Sequence, residues 1–260
     1  MSESLYQLIT VVDFLELLIW TGQLSDERPV SAIIVAPAGA GKTSVLWRVA
    51  CDQAEFVGDI TARTFHTFSK NQKLTHILLG DFLSLFGHRK STVDLTMRLL
   101  SQATGESIIH DSWTGEKIEP KQLGLISAIP PNDLKKRMAH FEAGGFASRF
   151  ILMKYDYKPT TIAAIHRFIA ANRYASNHQK PFIMEGTGKL EVKINDTLAE
   201  EIKDFGIILK RDSLGFRFHR HLRALVKAQA RRQKRTVATR EDLLHVKTFC
   251  DFFSQEGKMI

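Results

Sequence analysis

Residues 36–43 read Ala-Pro-Ala-Gly-Ala-Gly-Lys-Thr and follow directly on the apolar run Ala32-Ile33-Ile34-Val35. A strand, a glycine-rich turn and a Lys-Thr pair in this order suit a nucleoside triphosphate. Gly39 and Gly41 let the backbone curl so that successive N–H groups face phosphate oxygens, Lys42 reaches the β- and γ-phosphates, and the Thr43 hydroxyl serves Mg²⁺. The helix expected from Lys42 onward points its positive end at the same anion. Pro37, Ala38, Gly39, Ala40, Gly41, Lys42, Thr43 and Ser44 therefore form the candidate phosphate-binding set, with ATP and Mg²⁺ as the implied cofactors. The first motif position is Ala36 rather than glycine. A look-alike, Gly186-Thr187-Gly188-Lys189, has Leu190 where the hydroxyl belongs and reads as a turn.

A second candidate lies about 40 residues on. Thr75-His76-Ile77-Leu78-Leu79-Gly80-Asp81 reads as a buried strand ending in an acid. A carboxylate at the C-terminal end of a parallel strand can hold the Mg²⁺ water shell, so Asp81 joins Thr43 as a candidate metal residue. The next residue is Phe82, where an acid that polarises the attacking water would be useful; its absence predicts slow hydrolysis. Ser127, near the end of the apolar run Leu123-Gly124-Leu125-Ile126-Ser127-Ala128-Ile129, is a candidate hydroxyl facing the nucleotide.

The elements that must position these residues alternate. An amphipathic helix is expected over Leu5, Leu8, Ile9, Val12, Leu15, Leu18 and Ile19, stopping near Gly22. A strand at 32–35, a helix at 43–55, a short strand over 62–65, the acid strand and a helix over 93–103 follow. Two extended runs around Thr114-Gly115 predict a hairpin near 108–122. Alternating strands and helices imply a parallel sheet. The 260 residues, 44% of them hydrophobic, suffice for one core with a small appended unit. No run of about 18 residues is free of charge, and no basic segment precedes an apolar core, so neither a membrane span nor a secretory signal is expected and a cytoplasmic location is. Cys51 and Cys250 fit no disulfide framework or zinc pattern. Net charge is +8, and it is concentrated: residues 210–240 hold eleven Lys or Arg against the single acid Asp212, +10 in that stretch and −2 elsewhere. Such a lobe suggests a polyanion partner.

Further along, Gly145-Phe146-Ala147-Ser148-Arg149-Phe150-Ile151-Leu152 resembles the Ser-Arg-Phe segment of AAA+ ATPases of the helix-insert, pre-sensor-hairpin group, typified by the minichromosome maintenance helicases and magnesium chelatases. Arg217, followed by Leu222, Leu225, Ala228 and Ala230 and then by 235–243, is similar to that group's lid, and Thr239 to Asp242 reads as a helix N-cap box. The resemblance runs in order over about residues 30–250. It implies an α/β P-loop fold, an αβα sandwich with a parallel sheet and a C-terminal helical lid, divided as 1–28 (N-terminal helix), 29–158 (ATPase core) and 159–260 (basic lid).

By the same resemblance Ser127 is the first sensor, Arg149 the finger that reaches a neighbour's ATP, and Arg217 the second sensor, with Arg220 and Arg223 on the same helix as rivals for that role. Trp113 and Lys117 on the hairpin, with Arg220, Arg223, Lys227 and Arg231 on the lid, are the implied nucleic-acid contacts. The expected activity is ATP hydrolysis coupled to moving or remodelling DNA in a hexameric ring or spiral, with other replication or mobile-element proteins as partners. The alternatives are a slowly hydrolysing ATP-dependent switch or loader assembling on DNA and a chelatase-like ATPase remodelling protein.

Overall fold

The structure, a computed structural model, describes residues 8–61, 64, 67, 68, 70–105, 122–143, 147–171, 182, 184, 188–209, 216–253 and 257–260. The described strands are β1 (Ser31–Val35), β2 (Ala54–Val57), β3 (His76–Leu79), β4 (Gly124–Ile129), β5 (Phe150–Asp156) and β6 (Lys258–Met259). They form one sheet in the order β2-β3-β4-β1-β5-β6, and every pairing is parallel. The chain is thus α/β, as expected, and β4 separates the glycine-rich turn's strand from the acid strand. Because β1, β3 and β4 are buried on both faces, they read as continuous apolar runs rather than alternating ones.

The period of two divides each strand between two hydrophobic clusters. Ala32, Ile34, Ile126, Ala128, Ile151, Met153 and Tyr155 face one layer, which holds α1 (Ile9–Thr21), α2 (Lys42–Arg48) and the C-terminal helices. Ile33, Val35, Leu125, Ile129 and Phe150 face the other, which holds α3 (Lys90–Thr104) and α4 (Pro131–Ala143). Among the described residues no helix is long and apolar enough to cross a membrane.

Several elements differ from the sequence reading. Helix α1 ends at Thr21 with Gly22 as its C-cap, but it is buried nearly all round rather than on one stripe. Its two acids, Asp13 and Glu16, are ion-paired to Arg232. The helix expected over 43–55 stops at Arg48; Cys51 and Ala54 then exchange backbone hydrogen bonds at 3.0 Å each, and β2 starts. The pairing of β2 with β3, from Ala54↔His76 to Val57↔Leu79, overrides any local helical pattern. Of the strand expected over 62–65 only Thr64 is described, and it is helical. The hairpin near 108–122, with Trp113 and Lys117, lies outside the described residues except for Gln122.

The C-terminal part comprises α5 (Pro159–Ala170), α6 (Asp196–Leu209), α7 (Phe216–Arg232), α8 (Arg240–Lys247) and α9 (Cys250–Phe253). The N-cap box is present at Thr239 and Asp242, and Arg235 holds the same Asp242 carboxylate in a two-pronged ion pair. α1, α7, α8 and the sheet share one apolar cluster, and β6 returns to pair with β5 (Tyr155↔Lys258). Of the helices expected as a lid, α6, α7, α8 and α9 are therefore packed into the core's own hydrophobic layer, whereas α5 is largely exposed, with Thr161 its only buried residue.

Candidate nucleotide site and arginine cavity

The glycine-rich turn leaves the C-terminal end of β1, at the sheet's centre. Gly39 and Gly41 both sit at positive φ (77° and 76°), the left-handed region that a side chain strains. Ala40 N donates to Pro37 O at 3.2 Å, closing the turn, and α2 begins with Gly41 as its N-cap. Ala38, Gly39, Thr43 and Ser44 are exposed, whereas Ala40 is buried. Lys42 Nζ donates to the carbonyls of Ala36 and Pro37 at 2.8 and 2.6 Å, which folds the ammonium along the turn. Its burial pushes the pKa below the usual lysine range, and the Asp81 carboxylate opposes that shift. The two residues thus share one electrostatic environment although 38 residues of sequence separate them.

Asp81 follows β3 and is exposed, and its Oδ1 accepts from Leu83 N at 2.9 Å, capping a 3₁₀ turn (Phe82–Gly87). That turn aims Phe82 away from the loop: its ring is fully buried against Phe86 and Phe150. Position 82 is a core position, so no side chain there would reach a nucleotide without rebuilding the turn.

Ser127 departs from expectation. It pairs in register with Leu79 and Ile33, is fully buried, and donates its hydroxyl to Leu79 O at 2.8 Å. At the strand tips, level with Val35, β4 presents Ile129 instead. A serine inside a sheet satisfies its hydroxyl on the nearest carbonyl, and this one has no surface left to offer.

The candidate arginines gather at the other end of the strands. Arg149 ends a 3₁₀ turn (Ala147–Arg149) immediately before β5, whose first residue pairs with Ser31, the first of β1. Its guanidinium passes over Gly105: a Cβ there would lie 3.1 Å from Nε and 2.8 Å from the Ser101 carbonyl oxygen, and the backbone contact is the one that favours glycine. Arg217, on the first turn of α7, hydrogen-bonds the Ser148 hydroxyl. Arg149, Arg217 and Arg220 line one cavity of about 370 Å³ together with Asp26, Glu27 and Arg28. Arg217, expected as a sensor of this chain's own nucleotide, is brought to Arg149 and not to the glycine-rich turn.

The basic helix also needs correction. Lys227 is only 2% exposed and is ion-paired to Asp26 and, at 2.9 Å, to Glu27; Arg223 Nε holds the same Glu27 oxygen at 2.9 Å. Arg231 donates to Gly188 O and lies 5.9 Å over the Trp20 ring, Arg232 is tied to α1, and Arg240 pairs with Glu201. Of the four cations Arg220, Arg223, Lys227 and Arg231, Lys227 is thus withdrawn from solvent and Arg231 partly so, whereas Arg220 and Arg223 remain exposed; packing of α7 between α1 and α8 ties Lys227 and Arg223 to carboxylates.

Two residues at the site were missed from sequence. Tyr155 Oη and Tyr157 Oη both donate to Ala40 O, at 2.8 and 3.0 Å. Burial, with the neighbouring Tyr157, pushes the Tyr155 phenol well above its ordinary range. Two tyrosines at i and i+2 on a strand share a face, which was the available signal. Mg²⁺ fits the donors present: Thr43 and Asp81 are both exposed, and Mg²⁺ binds through one or two such oxygens together with phosphates and water. Among the described residues no group of three or more His, Cys, Asp or Glu could hold a metal by itself. In comparison with known proteins, no family model matches the chain and no curated protein matches its sequence.

Proposed function

We propose that the protein is a slowly hydrolysing, AAA+-type ATPase that works as an ATP-dependent assembly switch. The observation that carries this reading is the glycine-rich turn at the centre of a parallel sheet, with two positive-φ glycines, a partly buried Lys42 and an exposed Asp81 in its field. Backbone N–H groups and Lys42 bind the phosphates; Thr43 and Asp81 hold Mg²⁺, which neutralises charge on the phosphoryl group when bound. Slow turnover is supported by Phe82 and Ser127, both used inside the core.

The cavity of Arg149 and Arg217 lies at the opposite end of the strands from the chain's own turn. A head-to-tail contact between copies would bring these arginines to the neighbour's phosphates, the geometry of a heterologous ring or spiral. A second reading, ATP-driven movement of DNA, is favoured by the +10 stretch at 210–240. It is the weaker one, because Arg223, Lys227, Arg232, Arg235 and Arg240 already face carboxylates.

The test is a titration with a fluorescent ATP analogue. Lys42→Ala is expected to abolish Mg²⁺-ATP binding with the fold intact, and Asp81→Ala to remove the residual turnover. Unchanged affinity in Lys42→Ala would end the nucleotide reading. Binding of DNA measured across salt concentrations, with about 0.7–0.9 of slope per phosphate contact, decides between the two readings.

A further inference from the structure

Both tyrosine hydroxyls at the phosphate loop end on one atom. The Ala40 carbonyl belongs to the Ala40–Gly41 peptide unit; turning that unit over changes ψ at Ala40 and φ at Gly41, and a glycine at 41 makes the change in φ cheap. In a trans peptide the Ala40 C=O and the Gly41 N–H point to opposite sides. Whatever fixes the carbonyl also fixes the direction of that N–H. Tyr155, buried on β5, and Tyr157, half-buried just beyond it, supply donors at 2.8 and 3.0 Å, enough for both lone pairs of the oxygen. The Tyr157 hydroxyl also sits 3.6 Å from where a Cβ on Gly41 would stand, closing the loop on that side.

We propose that Tyr155 and Tyr157 are positioning residues of the phosphate loop, holding the Ala40–Gly41 peptide in the orientation that presents Gly41 N–H to a nucleotide's phosphates. This rests on the nucleotide-site reading above. Neither residue touches the nucleotide. They act by keeping the loop in its binding-competent form, so that affinity is not divided by the fraction of molecules with the peptide turned over. Each hydroxyl holds the carbonyl in part, and losing both frees it. Tyr155 stands six residues beyond Arg149 on the same strand and its approach, so β5 joins the loop clamp to the arginine cavity.

The test uses the full chain and Mg²⁺-ATP as probe, with Tyr155→Phe, Tyr157→Phe and the double variant, which keep both rings and remove only the hydroxyls. Each single variant is expected to weaken ATP binding about threefold and the double variant at least tenfold, more than the product of the two, at a temperature well below each unfolding midpoint. A purely structural role would lower the unfolding midpoint and leave Kd unmoved. The proposal is overturned by a folded double variant that binds ATP within twofold of the native protein. Where the double variant does not fold, single variants with unaltered Kd overturn it equally. Native protein that binds no ATP, or Lys42→Ala that binds as well as native, defeats the nucleotide reading itself and is a different result from a failure confined to the tyrosines.

Discussion

Replacing Lys227 by methionine separates two accounts of the basic helix α7. The ammonium is 2% exposed and sits between Asp26, whose side chain is 30% exposed, and Glu27, at 10%. Methionine keeps the aliphatic volume and removes the charge, so two carboxylates lose their buried cation. Breaking a buried pair from one side costs about 3–5 kcal/mol. Arg223, still 2.9 Å from Glu27, and the partial exposure of Asp26 put this case at the low end, about 3 kcal/mol. For a chain of this size that is a fall of roughly 6–12 °C in Tm. Urea unfolding should show a lower midpoint at unchanged slope, and adding Asp26→Asn and Glu27→Gln to Lys227→Met should recover most of the loss, because the one charge then left without its partner, Arg223, is 49% exposed and keeps its water. A stability within about 0.5 kcal/mol of the native protein, the ordinary range of surface substitutions, would refute the reasoning. If Lys227 instead met nucleic acid, the variant would lower the salt slope of DNA binding by about 0.7–0.9 with no change in stability.

Two further outcomes are expected. His76 is fully buried, with Nδ1 3.0 Å from the Thr75 hydroxyl and Nε2 3.3 Å from Val30 O, and desolvation lowers its pKa from 6.5 to about 4. Between those values the unfolded chain binds the proton and the folded chain does not, so the contribution is complete above pH 6.5 and is lost as pH falls toward about 4, in total about 3 kcal/mol. Urea midpoints measured from pH 4 to 8 should therefore flatten in His76→Leu, and identical pH slopes in the two proteins would contradict the assignment. Arg149→Ala and Arg217→Ala should both spare ATP binding and lower hydrolysis only in the assembled state, by a factor of about 10³ or more for the finger. Mixing either with Lys42→Ala should restore activity at mixed interfaces, and a loss of ATP affinity in dilute Arg217→Ala would return that residue to its own chain's site.

The glycine-rich turn, the strand before it, the acid at the end of β3 and the parallel sheet were legible in the sequence because each rests on a local pattern: φ-permissive glycines, β-branched runs, and a carboxylate that a buried strand tolerates only at its end. The N-cap box at Thr239 and Asp242 was legible for the same reason. What the sequence could not decide was which neighbours each polar group would meet. Ser127 looks like a surface hydroxyl until the register sets it against Leu79 O; Lys227 looks like part of a basic face until the loop after α1 lays Asp26 and Glu27 beside it, 200 residues away in the chain. Strand β2 forms only because β3 is there to pair with it, and Arg217 meets Ser148 and Arg149 only because α7 packs at the N-terminal edge of the strands. Tyr155 and Tyr157 reach Ala40 because β5 lies next to β1, an adjacency set by the strand order and not by any spacing along the chain. Period and propensity are properties of neighbours in sequence, whereas burial, charge pairing and the orientation of a loop carbonyl are properties of neighbours in space.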